Sequence, residues 1–318
     1  MTSLIITTAM GYRPADIWPF LASAHRYCPD SSIIAIVHYR DLELLSPCSD
    51  YFPSLSLYPI YADLKDIRHA RGLRYKFQRA LAKLRSFLLS RLSEFSWRLC
   101  LADEQPSFLG LSSLRMFILN RRFFIARNIL YSCSKDIDAV LLTDSRDVVF
   151  QDNPFKVMNR GLFTGQEINS LRDSPINAQW IRTTYGEDGF ERLKDFPVYC
   201  SGVTIGDIHS VRGYLDQFCF EISCHAVANR SVLIPIWDQA YHNMILRQEP
   251  PSNFRAMPWN SDLSTLGEVP NEFLEVLSDG YIAVDGIVPS ILHQYDRHPD
   301  ALLSIMTQYS APSSFTPT

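Results

Sequence analysis

Two kinds of hydrophobic pattern alternate along the first half of the chain. Short runs of β-branched and apolar residues predict strands, and longer segments with apolar residues three and four apart predict helices. The elements predicted in this half are strands at 4–8, 33–38 and 56–61 and helices at 14–27, 73–100 and 113–132. This alternation predicts a parallel sheet, because each helix returns the chain to the start of the next strand.

The clearest strand lies in the middle of the chain, at 138–143. Its continuous apolar run is typical of a central strand covered on both faces, and it leads into the polar segment Asp144-Ser145-Arg146-Asp147. Ligand-binding side chains of α/β proteins lie at the carboxyl ends of such strands. Further along, the pattern predicts strands at 162–164, 198–205, 255–258 and 281–284 and helices at 208–225 and 237–248.

These elements predict an α/β fold with a mixed, mainly parallel sheet flanked by helices and a helical insertion around 68–132. No internal repeat or low-complexity linker divides the chain, so residues 1–309 are predicted to form one domain with two halves, 1–150 and 151–309. The segment 310–318 is rich in Ser, Thr and Pro, which predicts a flexible tail.

Composition narrows the functional classes. The 318-residue chain is 47% hydrophobic and 20% charged, as expected for a globular protein, and its net charge of -4 disfavours nucleic-acid binding. Its seven cysteines include no C-x-x-C pair, which argues against a disulfide framework or a zinc ribbon and favours a reducing, cytoplasmic location. We expect no secretory signal and no membrane span, because the chain has neither a basic leader nor an apolar run of roughly 20 residues.

Asp144 and Asp147 place two carboxylates at the end of the central strand. Carboxylate oxygens are hard ligands that suit Mg²⁺ or Mn²⁺, and such an ion can neutralise the phosphates of a diphosphate leaving group. A structural interpretation also fits, in which Asp144 caps the turn and Asp147 pairs with Arg146 or another cation. The motifs that follow favour the metal site.

The segment around Asp144 resembles the D-x-D region of GT-A glycosyltransferases, which take nucleotide sugars as donors. Three later segments are similar to motifs of glycogenin-like and galactosyl- or xylosyl-transferring members, in the same order. They are VYCSGVTIG at 198–206, WDQAYHN at 237–243 and SILHQYDRHP at 290–299. The resemblance implies a GT-A fold in which the first half of the domain binds the nucleotide and the second half binds the acceptor.

The resemblance implies a metal centre of Asp147, Asp144 and His293, with His298 as a competing histidine. An imidazole ligand favours Mn²⁺, and Mg²⁺ is the alternative. The two aspartates are three positions apart instead of two, so a turn at Ser145 and Arg146 must bring them together. If Ser145 takes the first D-x-D position, Asp147 is the main ligand and Asp144 contacts ribose or supports a ligand, so Asp147 ranks first.

A second departure concerns the strand motif, where Cys200 stands in place of the family's Asn. This replacement puts an acceptor contact from that side chain in doubt. Arg115 and Arg122 lie seven positions apart and so on nearly one helical face, where they are either diphosphate contacts or solvated surface charges.

The remaining site residues follow from the resemblance. Asp238 and then Gln239 are the catalytic candidates beneath the donor's anomeric carbon; in an inverting enzyme Asp238 is the general base, and helix capping alone explains it equally well. Residues expected to bind the nucleotide sugar are Thr7, Thr8, Ala9, Tyr12, Arg115, Asp144, Ser145 and Arg146. Residues expected to bind the transferred sugar or the acceptor are Glu167, Ser201, Gly202, Trp259 and Asn260. Structural roles are the alternative for Glu167, Trp259 and Asn260, and a simple strand-to-helix turn is the alternative for the segment 7–12.

The segment 68–98 carries nine Lys or Arg and a single acidic residue, Glu94, with apolar residues at helical spacing. It predicts a basic amphipathic helix. Two interpretations are open: its apolar stripe packs on the core, or it docks reversibly on an anionic membrane, at the inner face for a cytoplasmic protein.

Taken together, the sequence predicts a metal-dependent glycosyltransferase that uses a nucleotide diphosphate sugar, with a UDP-sugar as the leading donor, and a glycan or lipid-linked acceptor. The motifs resemble those of retaining families. A non-catalytic glycan-binding or scaffold protein on the same fold is the alternative. A nucleotidyltransferase is disfavoured because that class carries a glycine-rich, basic loop after the first strand, whereas the segment 7–13 has one glycine. A haloacid-dehalogenase phosphatase is disfavoured because in that class the paired aspartates follow the first strand, whereas here they follow residue 140.

Overall fold

A computed structural model describes residues 2–60, 118–133, 137–228 and 238–315. Its strands, in chain order, are β1 (Ser3–Thr8), β2 (Ser31–His38), β3 (Leu55–Ile60), β4 (Ala139–Thr143), β5 (Val148–Phe150), β6 (Leu162–Ser170), β7 (Pro197–Asp207), β8 (Phe254–Met257), β9 (Leu263–Thr265), β10 (Leu274–Val276), β11 (Ile282–Val284) and β12 (Ile291–His293). Its helices are α1 (Pro14–Tyr27), α2 (Leu42–Leu45), α3 (Cys48–Tyr51), α4 (Ile118–Ser132), α5 (Pro175–Leu193), α6 (Ile208–Ala228), α7 (Asp238–Gln248) and α8 (Pro299–Gln308).

A seven-stranded sheet in the order β3-β2-β1-β4-β7-β6-β8 forms the centre of the fold. Strand β7 runs antiparallel to both of its neighbours, and the other neighbouring pairs are parallel. The predicted α/β fold with a mixed, mainly parallel sheet is therefore confirmed, and it is of the Rossmann-like kind.

Both faces of the sheet are covered. Consecutive side chains of a strand point to opposite faces, so Val140 and Leu142 pack with α4 and α6 while Ala139 and Leu141 pack with α1. All five residues of β4 are buried. This two-sided burial explains the continuous apolar run of the sequence and holds the end of β4 rigidly.

A second, three-stranded sheet lies beyond the end of β4 and positions the polar segment that follows it. Its order is β5-β12-β9, with β12 antiparallel to β5 and parallel to β9. In this register His293 pairs with Val148, the residue after Asp147, and with Thr265 on the other side. The late histidine is thus brought beside the two aspartates.

One helix agrees with its predicted bounds, and several other elements differ from the prediction. Helix α1 has the predicted bounds, and β6 extends six residues beyond the predicted strand, to Ser170. Helix α5 is not predicted, because Gly186, with a φ of 74°, interrupts its helical pattern. Phe315, in the predicted flexible tail, packs against Trp18 and Tyr51 with ring centroids 5.3 and 5.6 Å apart.

Part of the predicted helical insertion, 68–117, lies outside the described residues, and so does the basic segment 68–98. Arg115 and Trp237 lie outside them as well. Among the described residues, none of the helices combines the length and the apolar character needed to cross a membrane.

Candidate metal centre

The carboxyl end of β4 carries a group of three side chains that could hold a metal ion. Asp144 and Asp147 lie on the bend between β4 and β5, and His293 ends β12. One ligand atom of each lies within 4.8 Å of the others, and Nε2 of His293 is 3.7 Å from Oδ2 of Asp144 and 3.8 Å from Oδ2 of Asp147. The structure thus groups both predicted aspartates with the predicted histidine and does not rank one above the other.

The bend at Ser145 and Arg146 explains how carboxylates three positions apart reach one point. Ser145 is buried, and its Oγ donates to the carbonyl of Thr8, 2.9 Å away, which ties the bend to the end of β1. Gln294, in the left-handed conformation with a φ of 60°, donates its backbone N–H to the carbonyl of Asp147 at 2.7 Å. Both ends of the bend are therefore anchored.

The three side chains fit a divalent cation. His293 Nε2 is buried and has no hydrogen-bond partner among the described residues, although it faces two carboxylates. Buried ring nitrogens are normally paired. A ring nitrogen that faces two carboxylates without a hydrogen bond could bind a metal ion together with them, or carry a proton and form an ion pair with them. Two carboxylates and one imidazole suit Mn²⁺ better than Mg²⁺, which prefers oxygen ligands and water.

The pKa values of the three side chains of the metal group shift in different directions. Burial by itself raises the pKa of Asp144, but the Arg122 guanidinium and His293 outweigh it and hold that pKa below its ordinary value. Burial, followed by the charge of Asp144, raises the pKa of Asp147. Burial lowers the pKa of His293, yet Cys200 and the two carboxylates raise it well above its ordinary value. The group attracts positive charge strongly.

Arg122, on α4, joins the metal group to the start of α7. Its side chain is 11% exposed; Nη1 donates to Oδ1 of Asp144, and Nη2 donates to Oδ2 of Asp238 at 2.8 Å. The other oxygen of Asp238 accepts the backbone N–H of Gln239 at 2.9 Å. Arg122 is therefore a buried ion-pair residue, and the alternative of a solvated surface charge does not apply to it.

Gln239 lies at the centre of a hydrogen-bond network near the metal group. Its Nε2 donates to Oε1 of Glu167 at 2.9 Å and to Oδ1 of Asn177 at 2.8 Å, and its Oε1 lies 3.4 Å from both the backbone N and Oγ of Ser201. Burial raises the pKa of Glu167. The second oxygen of Glu167 has no hydrogen-bond partner among the described residues and is not fully enclosed.

A small cleft, with room for about 20 Å³ of solvent, is lined by Arg122, which donates to Asp144 of the metal group. Its polar lining comes from Thr7, Thr8, Thr143, Arg122 and Ser201, and its apolar lining includes Phe123 and Leu142. The hydroxyl of Thr7 is buried without a partner among the described residues. Three predicted residues, Thr7, Thr8 and Ser201, therefore line one cleft.

Two other predicted nucleotide-binding residues have different surroundings. Ala9 is fully buried in the core. Tyr12 is half-buried. Burial, followed by the negative charges of Asp144 and Asp147, raises the pKa of its hydroxyl, so this hydroxyl interacts electrostatically with the metal group.

The structure does not bring every predicted residue to the metal group. Trp259 packs edge-on against Phe273, with centroids 5.3 Å apart, and Asn260 donates to Asp285 at 2.8 Å. Arg146, 58% exposed, pairs with Asp296 at 2.9 Å. The substrate roles of these three residues remain predictions.

His298 does not compete with His293 as a ligand. Its Nε2 lies 2.7 Å from the carbonyl of Leu266 and its Nδ1 lies 2.8 Å from Oδ1 of Asn271. Both ring nitrogens are therefore engaged by protein groups, and the residue holds α8 to the loop after β9.

The sequence offers no signal for Asn177 and only a weak one for Asn243. Asn177 supports Gln239 but lies on the unpredicted helix α5. Asn243 exchanges hydrogen bonds at 2.8 Å with the backbone N–H and carbonyl of Tyr199 and so clamps α7 to β7. Its position in the 237–243 motif was the only indication of a role.

Comparisons with known proteins add no family. No protein-family model matches the chain, and no curated protein matches its sequence. The protein is an α/β protein with a mainly parallel sheet and an Asp-Asp-His group that could bind a metal ion.

Proposed function

We propose that the protein is a metal-dependent glycosyltransferase that moves a sugar from a nucleotide diphosphate sugar, with a UDP-sugar as the leading donor, to a glycan or lipid-linked hydroxyl. The observation that carries the proposal is the Asp144-Asp147-His293 group at the carboxyl end of β4, beside a cleft that ends at β1. In α/β sheets, ligands bind at this edge of the parallel strands.

The site residues support distinct parts of the transfer. A bound Mn²⁺, held by the two carboxylates and Nε2 of His293, would supply Lewis-acid neutralisation of the departing diphosphate. Arg122 holds Asp144 and Asp238 in place with a fixed positive charge. Thr7, Thr8 and Ser201 offer polar groups along the cleft for the nucleotide and its phosphates.

The hydrogen-bond network of Gln239 and Glu167 suits binding of the transferred sugar. Glu167 is 8% exposed and keeps one carboxylate oxygen able to accept a hydrogen bond from a sugar hydroxyl. Asp238 and Gln239 remain the proposed catalytic residues, on the resemblance noted in the sequence. Retention of the anomeric configuration is proposed on the same resemblance.

A second candidate function is glycan or nucleotide binding without catalysis. One observation favours it: the polar side-chain atoms of Asp238 and Gln239 are already engaged by Arg122, Glu167, Asn177 and Ser201 or the local backbone. Release of UDP from UDP-glucose or UDP-galactose in the presence of Mn²⁺ would identify an enzyme. Tight binding of UDP without any release from these or other nucleotide sugars would identify a binding protein.

Thermal unfolding with UDP, GDP, CMP and dTDP, each with and without Mn²⁺, tests the donor site. A ligand present at 100 times its Kd stabilises by about 2.7 kcal/mol, which is a readily measured shift. We expect a Mn²⁺-dependent shift with one nucleotide in the wild type, its loss in Asp147→Ala, and its retention in the control Asp188→Ala at an exposed position. No shift with any nucleotide in the wild type would contradict the proposal.

Membrane docking through the basic segment 68–98 is a separate proposal, supported by its charge alone. Sedimentation with anionic liposomes at low salt tests it, with neutral liposomes as the control. Equal recovery of the protein with both would refute it.

A further inference from the structure

Cys200 lies against the ring nitrogen of His293 that faces away from the metal group. The cysteine is on β7, its side chain is buried with the residue 1% exposed, and its Sγ is 3.3 Å from Nδ1 of His293. The hydroxyl of Thr265 is the other neighbour of Nδ1, at 3.4 Å.

The chemistry of a metal-binding imidazole defines what Nδ1 needs. If Nε2 offers its lone pair to an ion, the ring proton must be on Nδ1, and that N–H needs an acceptor that fixes the tautomer and the ring plane. A contact of 3.4 Å is long for an N–H···O hydrogen bond, whose usual range is about 2.7–3.2 Å. A contact of 3.3 Å to the larger sulfur atom is short, so Cys200 is the closer fit of the two acceptors.

The backbone of β7 reinforces this contact. Residues two apart on a strand face the same side, so Cys200 and Gly202 both face His293. A Cβ built on Gly202 would lie 2.4 Å from Cε1 of the ring, which shows how closely the strand approaches it. The backbone N–H of Asp144 donates to the carbonyl of Gly202 at 2.9 Å, which ties the same strand to a second proposed ligand.

We propose that Cys200 is a positioning residue of the metal centre: its sulfur accepts the Nδ1–H of His293 and thereby presents Nε2 to the ion. The inference rests on the proposed metal site. It also accounts for the cysteine at the position where the motif that this strand resembles has an asparagine. The side chain of Cys200 faces His293 in the protein interior and does not reach toward an acceptor substrate.

The consequence is a specific loss of metal affinity. Removing the group that supports a metal-binding histidine typically lowers metal affinity 10–100-fold. We expect Cys200→Ala to raise the Kd of Mn²⁺ by about 10-fold or more, because only the long contact to Thr265 remains. Cys200→Ser keeps an acceptor on a shorter bond, so its oxygen lies farther from Nδ1 than the sulfur does and should restore only part of the affinity. Thr265→Val should have a smaller effect than Cys200→Ala.

Isothermal titration of each full-length variant with MnCl₂ tests the proposal without an activity assay. The matched control is Cys219→Ala, which removes another fully buried thiol, on α6. Circular dichroism and thermal unfolding without metal establish that each variant is folded. The visible spectrum of bound Co²⁺ gives a second readout, since a reoriented imidazole changes the ligand field.

The outcomes separate the two proposals. Weaker Mn²⁺ binding by folded Cys200→Ala, a changed Co²⁺ spectrum and partial recovery in Cys200→Ser would support the role of Cys200. Wild-type binding with the same Kd in Cys200→Ala, or an equal loss in Cys219→Ala, would overturn it and leave the metal centre intact. Failure of the wild type to bind Mn²⁺, with or without UDP, would overturn the metal centre itself.

Discussion

Gly202 lies at the narrowest point of the metal centre, and replacing it with alanine is a direct test of the geometry. A Cβ at this position would lie 2.4 Å from Cε1 and 2.7 Å from Nε2 of His293, and 2.9 Å from Oδ2 of Asp144. Ordinary contacts of a Cβ are 3.4–4 Å. The added methyl group therefore overlaps two of the three proposed ligands at once.

The size of the overlap sets the expected effect. The imidazole must move by about 1 Å to regain ordinary contact, whereas metal–ligand distances tolerate only about 0.2 Å. We therefore expect the Kd of Mn²⁺ to rise at least about 100-fold, the upper end of the loss seen when only a ligand's supporting group is removed. Overpacking costs about 1–3 kcal/mol and the stiffer unfolded chain returns about 0.4–1 kcal/mol, so the metal-free protein should lose at most about 2.6 kcal/mol.

Calorimetric titration with MnCl₂ measures the first effect, and urea unfolding of the metal-free protein measures the second. The matched control is Gly213→Ala on α6, where no atom lies within 4 Å of the added Cβ. This control should keep the wild-type affinity for Mn²⁺. It should also gain roughly 0.5–1 kcal/mol, because alanine suits a helix better than glycine.

Two results would refute this reasoning. If Gly202→Ala binds Mn²⁺ as tightly as the wild type, neither His293 nor Asp144 is a ligand in the arrangement described. If Gly213→Ala loses affinity to the same extent, the loss does not arise from contact with the ligands.

Three further substitutions are tested by urea unfolding: two lie near the site, and the third, at Asp207, lies at the opposite end of β4. Arg122→Met leaves the buried carboxylate of Asp238 unpaired and removes one of the two cationic partners of the partly exposed Asp144. It should cost about 3–5 kcal/mol, against little change for the exposed Arg160→Met; equal losses would contradict the pairing. Burial raises the pKa of Asp207, but backbone N–H donors outweigh it and lower that pKa below 3.8. Asp207→Ala should therefore cost about 1 kcal/mol at neutral pH, with part of the difference lost as the pH falls through the lowered pKa; a gap independent of pH would refute this. Tyr214→Phe removes the 2.7 Å partner of buried His242 and should cost about 1–3 kcal/mol without changing Mn²⁺ affinity; an unchanged stability would rule out that hydrogen bond.

Local patterns in the sequence were sufficient for the central architecture. The two-sided apolar run at 138–143 predicts a buried strand, and the structure has β4 at Ala139–Thr143 with both faces covered. The helix predicted at 14–27 has the observed bounds. These predictions succeed because burial on both faces, or on one helical face, leaves a periodic trace in neighbouring residues.

Helix α5 shows where local patterns fail. Gly186 interrupts its periodicity, and Ile181 and Phe190 lie on opposite sides of that interruption, although both join the same buried cluster. Asn177, which supports Gln239 across 62 positions of the chain, was missed for the same reason. The backbone is not helical at Gly186, and α5 is two helical parts that meet there at a kink. Packing against α7 and β7 holds both parts, although their own sequence does not signal a helix.

The sequence by itself determined the α/β alternation and the polar bend after β4 with its two aspartates, because each is carried by residue types at short spacing. The third candidate ligand, His293, came from the resemblance of the segment 290–299 to a family motif. Only the tertiary structure decided that His293 and not His298 faces the aspartates, that Arg122 is a buried ion-pair residue, and that Cys200 lies against His293. Those contacts join positions from 22 to 149 residues apart in the chain, as in the pairs Arg122–Asp144 and Asp144–His293. They depend on how the two sheets pack, and no local spacing records that.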